Sequence, residues 1–235
     1  LGAESNAFTS FTKTSYLFST TSRVSENIKL LLEMVSKASF TEKSVAKERE
    51  IIQQEIGMYQ DSPDYRLFFG ALENLYPGTP LADDIAGTRE SISDITIDNL
   101  RENFDLFYHP SQMHLLVIGN FDVDEVLQVV KEYDLTSPHP SIELERFPVE
   151  KNEVKLNQSC RMDVASPKLA IGIRGNDVIK EEEKFRYKLM LKLLFSMMFG
   201  WTSQRFQSLY EAGKIDNSLT LEVEVEEVFH FVILT

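Results

Sequence analysis

The segregation of strand-forming and helix-forming segments constrains this chain most. Ala7-Phe-Thr-Ser-Phe-Thr-Lys-Thr-Ser-Tyr-Leu-Phe-Ser-Thr-Thr21 is rich in β-branched and aromatic residues and reads as two strands joined near Thr12-Lys13. Helical repeats follow. Ser25 is positioned to cap a helix with Ile28, Leu31, Leu32 and Val35 on one face. Thr41, without a full capping box, starts a helix running to Gln60, and Asp61-Ser-Pro63 breaks it. Tyr65–Leu75 is helical up to Pro77-Gly78-Thr-Pro80. Thr96 caps a helix to Tyr108 with Leu100, Phe104 and Phe107 inward. Met113–Ile118 reads as a buried strand, and Asp122–Glu132 as a helix.

The pattern fails between Thr136 and Glu150, where Pro138, Pro140 and Pro148 alternate with charges, so 136–150 reads as a linker. A second unit follows. It comprises a strand over Lys168–Arg174, a helix over Glu181–Phe199 with apolar Phe185, Leu189, Leu193 and Phe195, and a helix over Ser203–Ala212. A hairpin of Ser218–Val225 and Val228–Leu234 turns at Glu226-Glu227. Strands and helices do not alternate as a doubly wound sheet requires. Hairpins beside helix pairs predict α+β layers.

A net charge of −13 argues against non-specific binding to nucleic acid or an anionic membrane. No apolar run approaches the ~18 residues that cross a bilayer, and no signal peptide is visible. Cys160 is the only cysteine, which excludes an internal disulfide and a cysteine-based zinc site. It fits a reducing compartment. The chain starts at Leu1-Gly-Ala and stops at Val232-Ile-Leu-Thr235 inside a strand, so both ends read as cuts.

Glu48 and Glu55 are the candidate functional pair. Seven residues are nearly two helical turns, which stacks both carboxylates on one face about 10.5 Å apart. With Ile51, Ile52, Ile56 and Met58 on other faces, the helix is expected to be well buried. A carboxylate inside it is then costly unless paired or bound to metal, and a Glu on such a helix suits a third zinc ligand. The ordinary reading is a solvated face with lysine partners. Of the histidines, His109 is expected to cap carbonyls, and His114 to be a satisfied core or edge residue. His139 lies in the linker and His230 in the last strand. None has metal-ligand spacing with another. Phe199 and Trp201 read as core, and Glu222, Glu224, Glu226 and Glu227 as the wet face of a strand.

One ordered set of motifs goes further. It runs Asn6-Ala-Phe-Thr9, Glu48-Arg49-Glu50 with Glu55, Met58-Tyr-Gln-Asp61-Ser-Pro63, Ile85-Ala-Gly87-Thr with Glu90-Ser-Ile92, and Tyr108-His-Pro-Ser111 before Val117-Ile-Gly119-Asn120. This order resembles the M16 (pitrilysin/insulinase) metallopeptidase family, and within it the bacterial processing-peptidase-like branch of paired subunits. The resemblance implies two related α+β domains, each an antiparallel-rich sheet with helices on one face, both incomplete here. Residues 1–135 would be an N-terminal domain lacking its first strands and a His-x-x-Glu-His helix. Residues 151–235 would be the front of a C-terminal domain.

It also implies a zinc peptidase in which Glu55 is the third Zn²⁺ ligand and Glu48 steadies a ligand or tunes the base. Asn6, Ala7 and Phe8 would lie on the edge strand that receives peptide substrate by strand addition. The chain departs from the family twice. No His-x-x-Glu-His occurs, so the chain as written is expected to be inactive and not to hold catalytic zinc. The mid-strand start favours a motif lying before Leu1 over a homologue without one. Where the family's Arg and Tyr are expected stand Tyr210 and Asn217. That absence implies a second M16-like subunit supplying the pair. A non-catalytic scaffold subunit that binds peptide for a catalytic partner is the alternative, and a pure interaction module a third.

Overall fold

The computed structural model describes residues 1–133 and 152–235; the expected linker over 136–150 lies outside the described residues. The elements are β1 (Glu4–Thr9), β2 (Thr14–Ser19), α1 (Val24–Ser36), α2 (Glu42–Gln60), α3 (Pro63–Leu75), α4 (Arg89–Asp94), α5 (Ile97–Phe107), α6 (Val123–Lys131), β3 (Ile171–Arg174), α7 (Glu181–Phe199), α8 (Gln204–Glu211), β4 (Leu221–Val225) and β5 (His230–Leu234). The class is α+β, as the segregated pattern predicted. Two compact units result. One comprises Leu1–Gln54 and Ile85–Glu145, the other Glu55–Asp84 and Arg146–Thr235.

In the first unit β1 and β2 form an antiparallel hairpin with Asn6 opposite Leu17 and Ala7 opposite Tyr16. Its core is small. Ile28, Val126 and Val129 are buried, with Phe18, Val24, Leu32, Val117 and Phe121 packed against them. Thr88 and Thr96 each start a helix with a reciprocal side-chain box, which satisfies amides the helix leaves unpaired.

Several expectations are corrected here. Arg23, in the left-handed region at φ 54°, holds the cap position of α1, and Ser25 instead donates to Glu125 Oε1 at 2.6 Å. Thr41 does form a reciprocal box, because the Ser44 hydroxyl does what a longer Glu or Gln usually does. The His109 ring accepts the Ser111 amide at 3.2 Å. Phe107 is exposed. Met113–Ile118 is not a strand. Leu116 and Ile118 are 80% and 85% exposed and His114 is exposed, since no described strand pairs with the segment.

In the second unit β5 lies between β3 and β4 in an antiparallel sheet, and all five of its residues are buried. Helix α7 covers this sheet through Phe195, Tyr187 and Leu191 against Val223, Val225, Val232 and Leu234. Tyr76 donates its hydroxyl to the His230 carbonyl at 2.8 Å. Arg174 donates to the carbonyls of Leu75 and Asn152 and stands over the Tyr76 ring.

Glu222 is exposed as expected, whereas Glu224 in β4 and Glu226 just after it are half-buried. Glu224 meets Lys188 at 3.0 Å and Glu226 meets Lys184 at 2.8 Å, from the same face of α7. The Glu226 contact raises the Lys184 pKa. Phe199 packs on the core as expected, whereas Trp201 is 70% exposed. Phe185, Leu189 and Leu193 are exposed too, because the apolar residues of α7 are not confined to one stripe and the sheet covers one side only.

Candidate functional site

The hairpin sets the geometry at Asn6–Phe8. The Ser10 amide donates to the Lys13 carbonyl at 2.8 Å. Counting back in the alternating antiparallel ladder, residues 6 and 8 turn their N–H and C=O towards β2. Ser5, Ala7 and Thr9 turn theirs to the outer edge, and no described strand pairs with that edge. All six residues of β1 are exposed. This edge can accept an extended peptide through main-chain hydrogen bonds. The Ala7 amide at present donates to its neighbour Asn6 Oδ1 at 2.9 Å, so an incoming strand must displace that contact. Asn6 and Phe8 project from the opposite face to Ala7.

Glu48 and Glu55 lie on one helix, α2, as the spacing predicted. Its burial is not as predicted. Only Ile56 is buried, Met58 is 61% exposed, and both glutamates are exposed. Lys43, Lys47, Arg49 and Glu50 interrupt the apolar repeat too often for a buried helix. The Arg49 guanidinium donates to the Ile95 carbonyl at 2.6 Å, and Gln53 donates to Ser93. Asn6, Ala7, Phe8 and Glu48 belong to the first unit and Glu55 to the second. Tyr210 stacks on Phe206 of its own helix, and Asn217 is exposed in a turn.

A peptidase zinc site takes three side-chain ligands. Among the described residues no group of three or more His, Cys, Asp or Glu could hold a metal. These residues alone do not fit a catalytic zinc ion.

A residue pair that the sequence reading passed over stands behind the hairpin. The Tyr16 and Tyr108 hydroxyls are 2.6 Å apart. Burial, then the hydrogen bond to Tyr16, pushes the Tyr108 hydroxyl up to about 12. Tyr108 was visible only as part of a motif; the 92-residue separation hid its partner.

Residues 1–89 match the family model described as insulinase (peptidase family M16), and residues 94–227 match that of the peptidase M16 inactive domain. The chain belongs to peptidase family M16. It is 42% identical over 98% of its length to the Bacillus subtilis protein named uncharacterized zinc protease YmfH, covering 55% of that protein. It is 27% identical over 90% of its length to an uncharacterized zinc protease of Rickettsia felis, covering 50% of it. The crystal structure of an M16-like peptidase from Alicyclobacillus acidocaldarius superposes with a TM-score of 0.85 at 29% identity, covering 99% of this chain and 56% of that one. The chain thus spans about half the length of the M16 relatives it matches. Among the described residues, no helix is long and apolar enough to cross a membrane.

Proposed function

We propose that this M16 chain is part of a zinc-dependent endopeptidase that hydrolyses peptides or unfolded segments inside a chamber. The observation that carries the reading is the 42% identity to a zinc protease across nearly the whole chain. In this reading Glu55 is one zinc ligand and Glu48 steadies the site. The imidazole ligands come from residues outside the 235, and these residues alone are inactive.

The task of this chain's own residues is to bind and orient. The outward amides and carbonyls of Ser5, Ala7 and Thr9 hold the substrate backbone extended, and Asn6 gives up the Ala7 amide as the peptide arrives. With Tyr210 and Asn217 where the family's Arg and Tyr are expected, a second M16-like subunit supplies that pair. The bacterial cytoplasm is the proposed compartment, in keeping with a single, exposed, free cysteine.

The test is metal content. Glu55→Gln in the full-length protein should lose zinc and activity together, and stoichiometric zinc by elemental analysis of that variant would remove Glu55 from the ligand set. Glu48→Gln should keep most of the metal and turn over more slowly.

A second reading is a non-catalytic subunit that binds peptide beside a catalytic partner. Tyr210 and Asn217, standing where the family's Arg and Tyr are expected, fit this reading as well as the first. Zinc-free full-length protein that binds peptide without cleaving it would decide for this reading.

A further inference from the structure

We propose that the Tyr16–Tyr108 hydroxyl bridge is a brace that positions the β1 edge for peptide. The inference rests on the reading of β1 as the substrate edge.

Among the described residues β1 pairs with β2 alone, and β2 carries the side chains that tie the pair to the rest of the first unit. Its inward face carries Ser5, Ala7 and Thr9 on β1 and Thr14, Tyr16 and Phe18 on β2. Phe18 packs on the core of the first unit. Tyr16 makes another attachment, through the 2.6 Å contact of its hydroxyl with Tyr108 and a tilted ring contact at 6.1 Å.

Tyr108 is itself fixed at the end of α5. Its ring stacks on Phe104 at 4.9 Å, and Phe104 meets Phe40 edge-on at 6.2 Å. A chain of rings thus runs from the helices to the hairpin. Tyr16 stands directly opposite Ala7, in the kind of antiparallel pair whose side chains approach most closely. The brace therefore bears on the residue whose N–H and C=O face the open edge. Tyr16 and Tyr108 are positioning residues, since neither supplies the edge hydrogen bonds.

The experiment compares full-length wild type with Tyr16→Phe, Tyr108→Phe and the double variant, by hydrogen-exchange mass spectrometry over residues 4–19 and by hydrolysis of an unstructured peptide. Each single variant keeps its ring and loses the bridge, leaving one part-buried hydroxyl without its partner. Exchange across the hairpin should rise about fivefold in each. β4 and β5 should exchange as in wild type. The double variant should be no worse than either single one, because the two hydroxyls act as a unit. KM should rise about fivefold with kcat within twofold.

Wild-type exchange over 4–19 in the single variants would overturn the brace, as would exchange rising equally in α1, α5 and the hairpin. Faster hairpin exchange with unchanged KM would overturn its role in positioning substrate. If hairpin exchange responds as expected while wild type neither binds nor cleaves peptide, the brace stands and the peptidase reading falls.

Discussion

Replacing Gly175 by alanine tests the packing of the second unit at a single atom. Gly175 follows β3, and its amide donates to the His230 carbonyl at 2.9 Å, which fixes its backbone against β5. A Cβ built there falls 1.6 Å from His230 Nε2, 1.9 Å from Cδ2 and 2.4 Å from Cε1. Gly175 is not among the positive-φ glycines, so backbone handedness adds nothing and the cost is steric. The imidazole cannot swing out freely. His230 is 3% exposed, and its ring sits edge-on to Tyr187 at 5.2 Å. Extra atoms in a packed core cost about 1–3 kcal/mol, and an overlap this deep belongs at the upper end, about 3 kcal/mol. For a protein of this size that lowers Tm by about 6–12 °C.

The assay is a thermodynamic cycle by urea denaturation, with Gly175→Ala made in wild type and in His230→Ala. Removing the ring vacates the space, so Gly175→Ala should then cost less than about 0.5 kcal/mol. Equal costs in both backgrounds would refute the reasoning, because the imidazole would not be the obstacle.

Two further outcomes follow from the same geometry. The Tyr108 and Tyr76 hydroxyls are each raised to about 12, chiefly by burial. Folding therefore favours their protonated forms, and the stability this gives is fully present below pH 10 and lost as pH rises towards 12. Alkaline unfolding followed by circular dichroism should show this loss, and Tyr108→Phe should remove the part belonging to the first unit. Thr96 accepts the Asn99 amide at 3.1 Å at the start of α5. Thr96→Ala should cost about 1 kcal/mol in thermal unfolding, and a loss below about 0.3 kcal/mol would show the box to be idle.

Where a signal in the chain was local, it was legible. Thr96 as a cap, the hairpin joined near Thr12-Lys13, and α7 over Glu181–Phe199 all follow from residues within a few positions of one another. Signals that need a distant partner were not legible. Met113–Ile118 has the residues of a strand, but a strand forms only beside a neighbour, and here Leu116 and Ile118 face solvent. Glu224 and Glu226 alternate with valines as a wet face should. Nothing near them in the sequence announces that Lys188 and Lys184 lie across from them. Tyr16 and Tyr108 escaped for the same reason.

For Glu55 the two kinds of signal part company. The case from burial held that a carboxylate inside a buried helix needs a cation, and it fails because α2 buries only Ile56. The case from ordered motifs is untouched by that failure, because it depends on which residues follow one another and on the match of residues 1–89 to the peptidase family. Burial reports what a side chain has to satisfy within its present surroundings. A metal ligand can be satisfied by groups that only a further segment brings. The Glu55→Gln zinc measurement separates the two, since an exposed glutamate with no metal to hold can be neutralised without consequence, whereas a ligand cannot.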